Sequence, residues 1–258
     1  MALPTFFLPR ADWPASGASG PAGCCTLTGP EAHHLSHVLR LPVGAQVRLL
    51  DGTGGEGVFR VEEVIRKAAT LRLERAVHHP APRSRPIMAL AWSKATRRGF
   101  FMEKAVELGV HEVWLWQGEH SQGRLPRDVK DSWQAQMIAG VKQCGNPWLP
   151  TLRTLAHGVA GLVEAAASAD HRLLPWENQQ GVPLLTPEQA GQAGVSVYVI
   201  GPEGGFSPAE LAALKAAGFT AFSLGTQVLR CETAALLCLG IHWWAAHAHG
   251  LVEARPCL

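Results

Sequence analysis

The chain has 258 residues, 47% hydrophobic and 17% charged, which is enough apolar content for the core of one large domain or two smaller ones. Its longest apolar run, residues 234–246, is interrupted by His242 and too short for a bilayer span, and no positive region leads into an apolar segment at the N-terminus, so a cytoplasmic protein without membrane contact is expected. Six cysteines without a C-x-x-C pair or other metal-ligand spacing fit reduced thiols, and no metal site is expected. The net charge of +2 is unevenly spread: residues 1–100 carry +6 and the remainder −4, with Arg83, Arg85, Lys94, Arg97 and Arg98 in a span without an acid. Such a cluster either follows a phosphate backbone or is a solvated linker.

Residues 1–77 read as short β-segments. Thr5-Phe6-Phe7-Leu8 predicts a first strand, followed by a Pro/Gly/Ser-rich loop over 14–23. Residues 31–39 are the one helical candidate, with Leu35, Val38 and Leu39 on one face. Gln46-Val47-Arg48-Leu49-Leu50 is a strand closed by the turn dipeptide Asp51-Gly52, and 58–65 and 70–77 complete a set of antiparallel strands, as in a small barrel. His33 and His37 have the i, i+4 spacing of helical zinc ligands, but no Glu stands between them and no third ligand lies nearby. Surface or nucleic-acid contact is the preferred reading of that pair.

The Pro/Arg-rich stretch 78–86 breaks every periodicity and predicts a domain boundary, giving a first domain over 1–79, a linker over 80–86 and a second domain over 87–258. After it the pattern becomes α/β. A strand over 87–92, a helix over 97–108 striped by Phe101, Ala105 and Leu108 and capped by Gly109, and a strand over 112–117 make a βαβ unit, hence a parallel sheet. A second helix over 127–143 spaces Val129, Trp133, Met137 and Val141 by four; 161–169 is weakly helical, and 172–177 ends a strand.

Two motifs near the C-terminus stand out. The run Val195-Ser196-Val197-Tyr198-Val199-Ile200 reads as a strand buried on both faces and leads into Gly201-Pro202-Glu203-Gly204-Gly205-Phe206. Ser207-Pro208-Ala209-Glu210 then forms a capping box with Pro at the first helical position. The bend is neither a Walker A loop nor a G-x-G-x-x-G fingerprint; its glycines let backbone approach a ligand at a strand end, or simply allow a tight loop. The second motif follows a short strand over 219–224: Leu224-Gly225-Thr226-Gln227-Val228-Leu229-Arg230-Cys231-Glu232-Thr233-Ala234. Two strand-ending loops, each with Gly and a carboxylate and one with an Arg, exceed what packing requires.

In order and spacing these two motifs resemble the RsmE family of 16S ribosomal RNA methyltransferases in the SPOUT superfamily. The stretches 33–44 and 51–54, Lys94, the segment 103–110 and Ser121 are also similar to that family. One departure is Asn146, where the family usually has Arg after a Gln-Cys/Ser-Gly step, which puts one RNA contact in doubt. The resemblance implies a small PUA-like RNA-binding β-barrel followed by an α/β domain with a parallel sheet and a C-terminal trefoil knot, an exception to unthreaded topology. It also implies S-adenosyl-L-methionine as cofactor, N3 of a uridine in 16S ribosomal RNA of the small subunit as acceptor, and a homodimer burying the apolar final helix. The cofactor's contacts would be Gly201, Pro202, Glu203, Gly204, Gly205, Leu224, Gly225, Gln227, Leu229, Arg230 and Thr233, with Leu174 and Trp176 either walling the adenine or belonging to the core. A guanidinium beside the uracil carbonyls would favour the N3 anion, a role for Arg230, while Glu203 or Glu232 would accept the proton or pair with that Arg. Arg10, Arg40 and the 83–98 cluster would meet phosphates. Alternatives are a SPOUT enzyme acting on another nucleotide or a ribose hydroxyl, or a non-catalytic RNA-binding protein.

Overall fold

Period-two alternation builds the first part of the molecule. The computed structural model describes residues 3–14, 23–93, 98–176 and 181–252. Its described residues divide into two units, the first holding those up to Ala81 with Ile138–Leu149, the second holding those of Pro82–Met137 and of 150–252. In the first unit β1 (Thr5–Phe7), β2 (Cys24–Thr28), β3 (Gln46–Leu50), β4 (Gly55–Ile65) and β5 (Ala68–His78) form one sheet in the order β1-β3-β4-β5-β2. Val47 and Leu49, Phe59 and Val61, and Ala69 and Leu71 share one core with Phe6 and Leu27, because residues two apart on a strand lie on one face. The expected all-antiparallel set needs two corrections. β1 pairs parallel with β3, and β2, with only Cys25 and Leu27 facing inward, has too short an alternation to stand out in the sequence.

The helix expected over 31–39 is also corrected. A short α1 (Gly29–His33) passes into a π-helical turn, His34–Val38, in which the Leu39 amide reaches the His34 carbonyl. The wider turn keeps Leu35 in the core and turns Val38 and Leu39 outward, 59% and 40% exposed. Asn146 is buried in a turn of the same unit, its side-chain oxygen accepting the Trp148 amide at 3.2 Å, so this departure from the family pattern falls on an interior position.

The second unit is α/β. Its elements are β6 (Ser84–Ala91), α2 (Arg98–Glu107), β7 (Glu112–Trp116), the first half of α3 (Asp131–Cys144, of which residues 138–144 belong to the first unit), β8 (Thr151–Leu155), α4 (Gly158–Ala165), β9 (His171–Pro175), α5 (Pro187–Ala190), β10 (Gly194–Ile200), α6 (Pro208–Ala216), β11 (Thr220–Phe222) and α7 (Cys231–Ala248). The sheet order is β11-β9-β10-β6-β7-β8, and every neighbouring pair is parallel. β6 begins at Ser84, inside the stretch expected as linker, because Ser84 pairs with Gly194 and its hydroxyl donates to the Gln192 carbonyl at 2.6 Å. α3 starts at Asp131 rather than 127, leaving Val129 outside the helix while Trp133, Met137 and Val141 are buried. Among the described residues no helix is long and apolar enough to cross a membrane, and no disulfide joins the cysteines.

Central strand β10 is covered on both sides. Val197 and Val199 pack with Ile87, Ala89, Trp114 and Leu214. On the other side the Tyr198 hydroxyl meets His242 Nδ1 of α7 at 3.0 Å, and His242 Nε2 meets the Ser84 hydroxyl at 2.8 Å. Ser84 already donates to Gln192, so Nε2–H donates to Ser84; the Tyr198 hydroxyl lies 3.5 Å from the Ala190 carbonyl and 3.0 Å from Nδ1, and donates to the nearer Nδ1 of a neutral imidazole. α7 is buried along one face only (Ala235, Cys238, Leu239, His242, Ala245, Ala246), and Leu237, Trp243 and Trp244 are exposed.

Burial, reinforced by the field of His171, lowers His242 from 6.5 to about 4. Between those values the unfolded chain holds a proton that the folded chain does not, so this contribution to stability is complete above pH 6.5 and is lost as pH falls toward 4. Denaturation measured at pH 7 and pH 4.5 should show the wild type losing up to about 3 kcal/mol more than His242→Gln, which has no imidazole to charge.

Candidate active site

Three neighbouring parallel strands, β11, β9 and β10, open their carboxyl ends on one edge of the sheet. Open α/β sheets bind ligands at that edge. Here the loops leaving the three strands enclose a cavity of about 460 Å³, lined by Trp176 after β9, by residues 201–206 after β10 and by the segment from Leu224 to Cys231 after β11.

The first loop follows from its glycines and its cap. A Cβ at Gly201 would come to 2.9 Å from the Phe206 ring and one at Gly204 to 2.8 Å from His120 Cβ, and Gly205 has φ +74°. The Gly205 amide closes the bend on the Pro202 carbonyl at 2.9 Å. α6 then starts as its sequence predicts: the Ser207 hydroxyl accepts the Glu210 amide at 3.2 Å, and the Glu210 carboxylate accepts the Ser207 amide at 2.8 Å. Glu210 is only 1% exposed, and its other oxygen accepts the amide of Glu119, in the loop after β7, at 2.9 Å. Next to it, His120 Nδ1 lies 3.1 Å from the carbonyls of both Gly204 and Gly205; carbonyls only accept, so Nδ1 carries the proton. The Gly118 amide donates to the Ser121 hydroxyl at 3.0 Å.

The second loop bends at Gly225, φ +117°, where the Ser223 hydroxyl both accepts the Gly225 amide and donates to its carbonyl, at 3.1 Å each. Arg230 is the extended N-cap residue of α7, and the Cys231 thiol donates to the Gly201 carbonyl at 3.1 Å, joining the two motifs. Arg230 is exposed and, among the described residues, forms no ion pair with Glu203 or Glu232. Its pairing with either carboxylate is therefore absent from this structure.

Trp176, Gly201, Pro202, Glu203, Gly204, Gly205, Leu224, Gly225, Gln227, Leu229 and Arg230 all line the cavity. Leu174 does not: it is fully buried in the core with Trp116 and Phe219, inside β9, while Pro175 and Trp176 at the strand end reach the cavity. Thr233 and Glu232 lie on the first turn of α7 outside the lining, where the carboxylate suits the positive end of the helix dipole. Phe206, Val228, Cys231 and Ala234 line the cavity although their types do not single them out; adjacency within the motifs was their one signal. Nothing in the sequence marks His120 or Glu119. Of the expected phosphate contacts, Arg10 approaches Asp51 at 3.7 Å and lies over the Trp13 ring, Arg40 is exposed with φ +51°, Arg83 is exposed and Arg85 half-buried. Lys94 and Arg97 lie outside the described residues, as does the side chain of Arg98. The His33 and His37 rings stack at 4.8 Å, and no group of three metal-ligating side chains occurs among the described residues.

A family model described as an RNA methyltransferase domain matches residues 80–243, and one described as an RNA methyltransferase PUA domain matches residues 27–74. The ribosomal RNA small subunit methyltransferase E of Mycobacterium bovis is 31% identical over 221 residues, covering 82% of this chain and 83% of that protein. A solved structure assigned as a methyltransferase from Legionella pneumophila, in complex with the bound cofactor SAM, matches with TM-score 0.81 and 26% identity over 95% of this chain and 98% of that one. A structure described as a probable rRNA-methyltransferase from Porphyromonas gingivalis matches with TM-score 0.77 and 29% identity over 96% of this chain and 98% of that one.

Glu210 links the far end of the glycine loop to the loop after β7. Glu210→Ala removes a cap and leaves the buried Ser207 amide and the partly buried Glu119 amide without acceptors, so it should cost about 2–3 kcal/mol in chemical denaturation, whereas Glu210→Gln should retain part of that bonding.

Proposed function

Because the chain belongs to the RNA methyltransferase family, within the group of ribosomal RNA small subunit methyltransferase E, we propose that it transfers a methyl group from S-adenosyl-L-methionine to N3 of a uridine in 16S ribosomal RNA. The observation that carries this reading is the convergence of both motifs, separated in the chain by α6 and β11, on one cavity at the strand ends. The residues present fit the cofactor. A cavity of about 460 Å³ is in the range of small-molecule sites, and bare backbone at Gly201, Gly204, Gly205 and Gly225, the Trp176 indole, and the charged Glu203 and Arg230 line it. The backbone of 201–205 and 224–229 would hold the adenosine and amino-acid parts.

When bound, the cofactor supplies an electrophilic methyl on a sulfonium that leaves as a neutral thioether. The protein's task is alignment and charge. Uracil N3 becomes a nucleophile as its proton leaves, and the charge spreads onto the two flanking carbonyl oxygens. Arg230, exposed at the cavity and without an ion pair among the described residues, is the group that stabilises those oxygens. Glu203, in the lining, accepts the proton; Glu232, outside it, serves the helix terminus. Around this site the reading assigns residues 1–79 as a PUA-like RNA-binding domain and 87–258 as the methyltransferase domain, acting in the cytoplasm on the small subunit or its RNA. The C-terminal segment is tied in a trefoil knot, a reading supported by the resemblance of the two motifs to the SPOUT superfamily. Two copies pair through the apolar face of α7, supported by the exposure of Leu237, Trp243 and Trp244 beside a buried opposite face.

Arg230→Ala should lower turnover about a hundred- to thousandfold, far more than it lowers cofactor affinity, with melting temperature unchanged, and Arg230→Lys should rescue it partly, since the planar fork is lost. Affinity and melting temperature falling together would make Arg230 a structural tie instead. A protein that fails to bind S-adenosyl-L-methionine in calorimetry, or leaves no N3-methyluridine in 16S ribosomal RNA, is not the enzyme proposed. For the dimer, sedimentation should give two copies for the wild type at micromolar concentration and one for Trp244→Glu; a monomeric wild type rejects it.

A further inference from the structure

Trp176 stands at the end of β9, its amide donating to the Phe222 carbonyl of β11 at 2.9 Å, so its backbone is fixed by two neighbouring strands. Its indole lines the cavity. On that ring lies the ammonium of Lys215, 4.4 Å from the centroid, reaching over from the last turn of α6. Lys215 is not among the residues that line the cavity, whereas the Trp176 indole it covers is. The lysine is exposed and forms no ion pair among the described residues, which leaves the ring as its partner. α6 therefore bears on the site through its capped N-terminus after the glycine loop, through Leu211 in the lining, and through Lys215 on the Trp176 ring.

We infer that Lys215 is a positioning residue for the purine end of the cofactor: by occupying the outer face of Trp176 it holds the indole as a flat wall for a neutral heteroaromatic ring and against a cation. This rests on the methyltransferase reading above. A cation over one face of an indole is held by the ring quadrupole and draws π density toward itself. The opposite face then remains a good stacking partner for a neutral base, while a second positive charge gains less there. For a ligand that carries adenine at one end and a sulfonium further along, that asymmetry selects the adenine for Trp176 and sends the sulfonium toward the other loops. The lysine also removes rotational freedom that an exposed indole would otherwise lose on binding.

The test is calorimetric titration of the full-length protein with S-adenosyl-L-methionine and with S-adenosylhomocysteine, which shares the adenosine but has no positive sulfur. Lys215→Ala should weaken both ligands by the same factor, roughly two- to fivefold, with turnover at saturating cofactor unchanged and KM for the cofactor raised. Lys215→Arg, which also stacks on indole, should restore both affinities, whereas Lys215→Met, which keeps the stem without the charge, should not. Unchanged affinities in Lys215→Ala overturn the inference. So does a loss of affinity for S-adenosyl-L-methionine alone with the thioether unaffected, because both ligands present the same adenine to Trp176. A wild type that binds neither ligand refutes the methyltransferase reading itself, and the two failures are thereby distinguishable.

Discussion

The buried carboxylate of Glu210 holds the site together. A carboxylate that is 1% exposed needs hydrogen bonds at both oxygens, and this one receives the Ser207 amide of its own helix cap and the Glu119 amide, 91 residues distant in sequence. The capping box thus starts α6 and also anchors the loop after β7 against the loop after β10. From that anchor His120 reaches back to the Gly204 and Gly205 carbonyls. The glycine loop is accordingly held at its end and along its middle before any ligand enters, which reduces the ordering cost of binding.

The other half of the cavity depends on α7. Arg230 is the N-cap of that helix, so its position follows from how the helix is docked. The docking is set by apolar burial of Ala235, Cys238 and Leu239, and by the neutral His242 held between Tyr198 of β10 and Ser84 of β6. Satisfied buried polar groups give a packing interface one register, because a helix shifted by a residue would leave them unpaired. Strand β10 therefore supports the site from both faces: its end carries the glycine loop, and its Tyr198 fixes the helix that presents Arg230.

In the first unit, charge counted along the sequence overstates the positive surface available to an RNA. Arg60 pairs with Glu74 at 2.5 Å, Arg72 with Glu62, Arg48 approaches Glu56 at 3.5 Å and Arg10 approaches Asp51. Each of these cations is partly neutralised where it stands, and such pairs are held at modest energetic gain. Lys142 likewise spends its charge on Glu31 at 2.6 Å.

What the sequence determined by itself was local. The strand 195–200, the bend 201–206 and the capping box at 207–210 are covalent neighbours, and their residue types admit few other conformations, so element, turn and helix start were all legible. The same holds for the alternation of β3 and for Gly109 ending α2. The resemblance of the two motifs extended this to cofactor and substrate class. Only the tertiary structure decided which residues meet across the chain. That Leu174 belongs to the core while Trp176 faces the cavity depends on where β9 ends in the sheet. That Glu232 and Thr233 stand apart from the lining depends on how α7 leaves the second loop. The parallel pairing of β1 and the π turn at 34–38 depend on contacts from distant strands. Glu119, His120 and Lys215 act on the site through contacts between segments remote in sequence, and no spacing rule along one chain encodes such a contact, because it arises from packing of the whole sheet rather than from the period of any element.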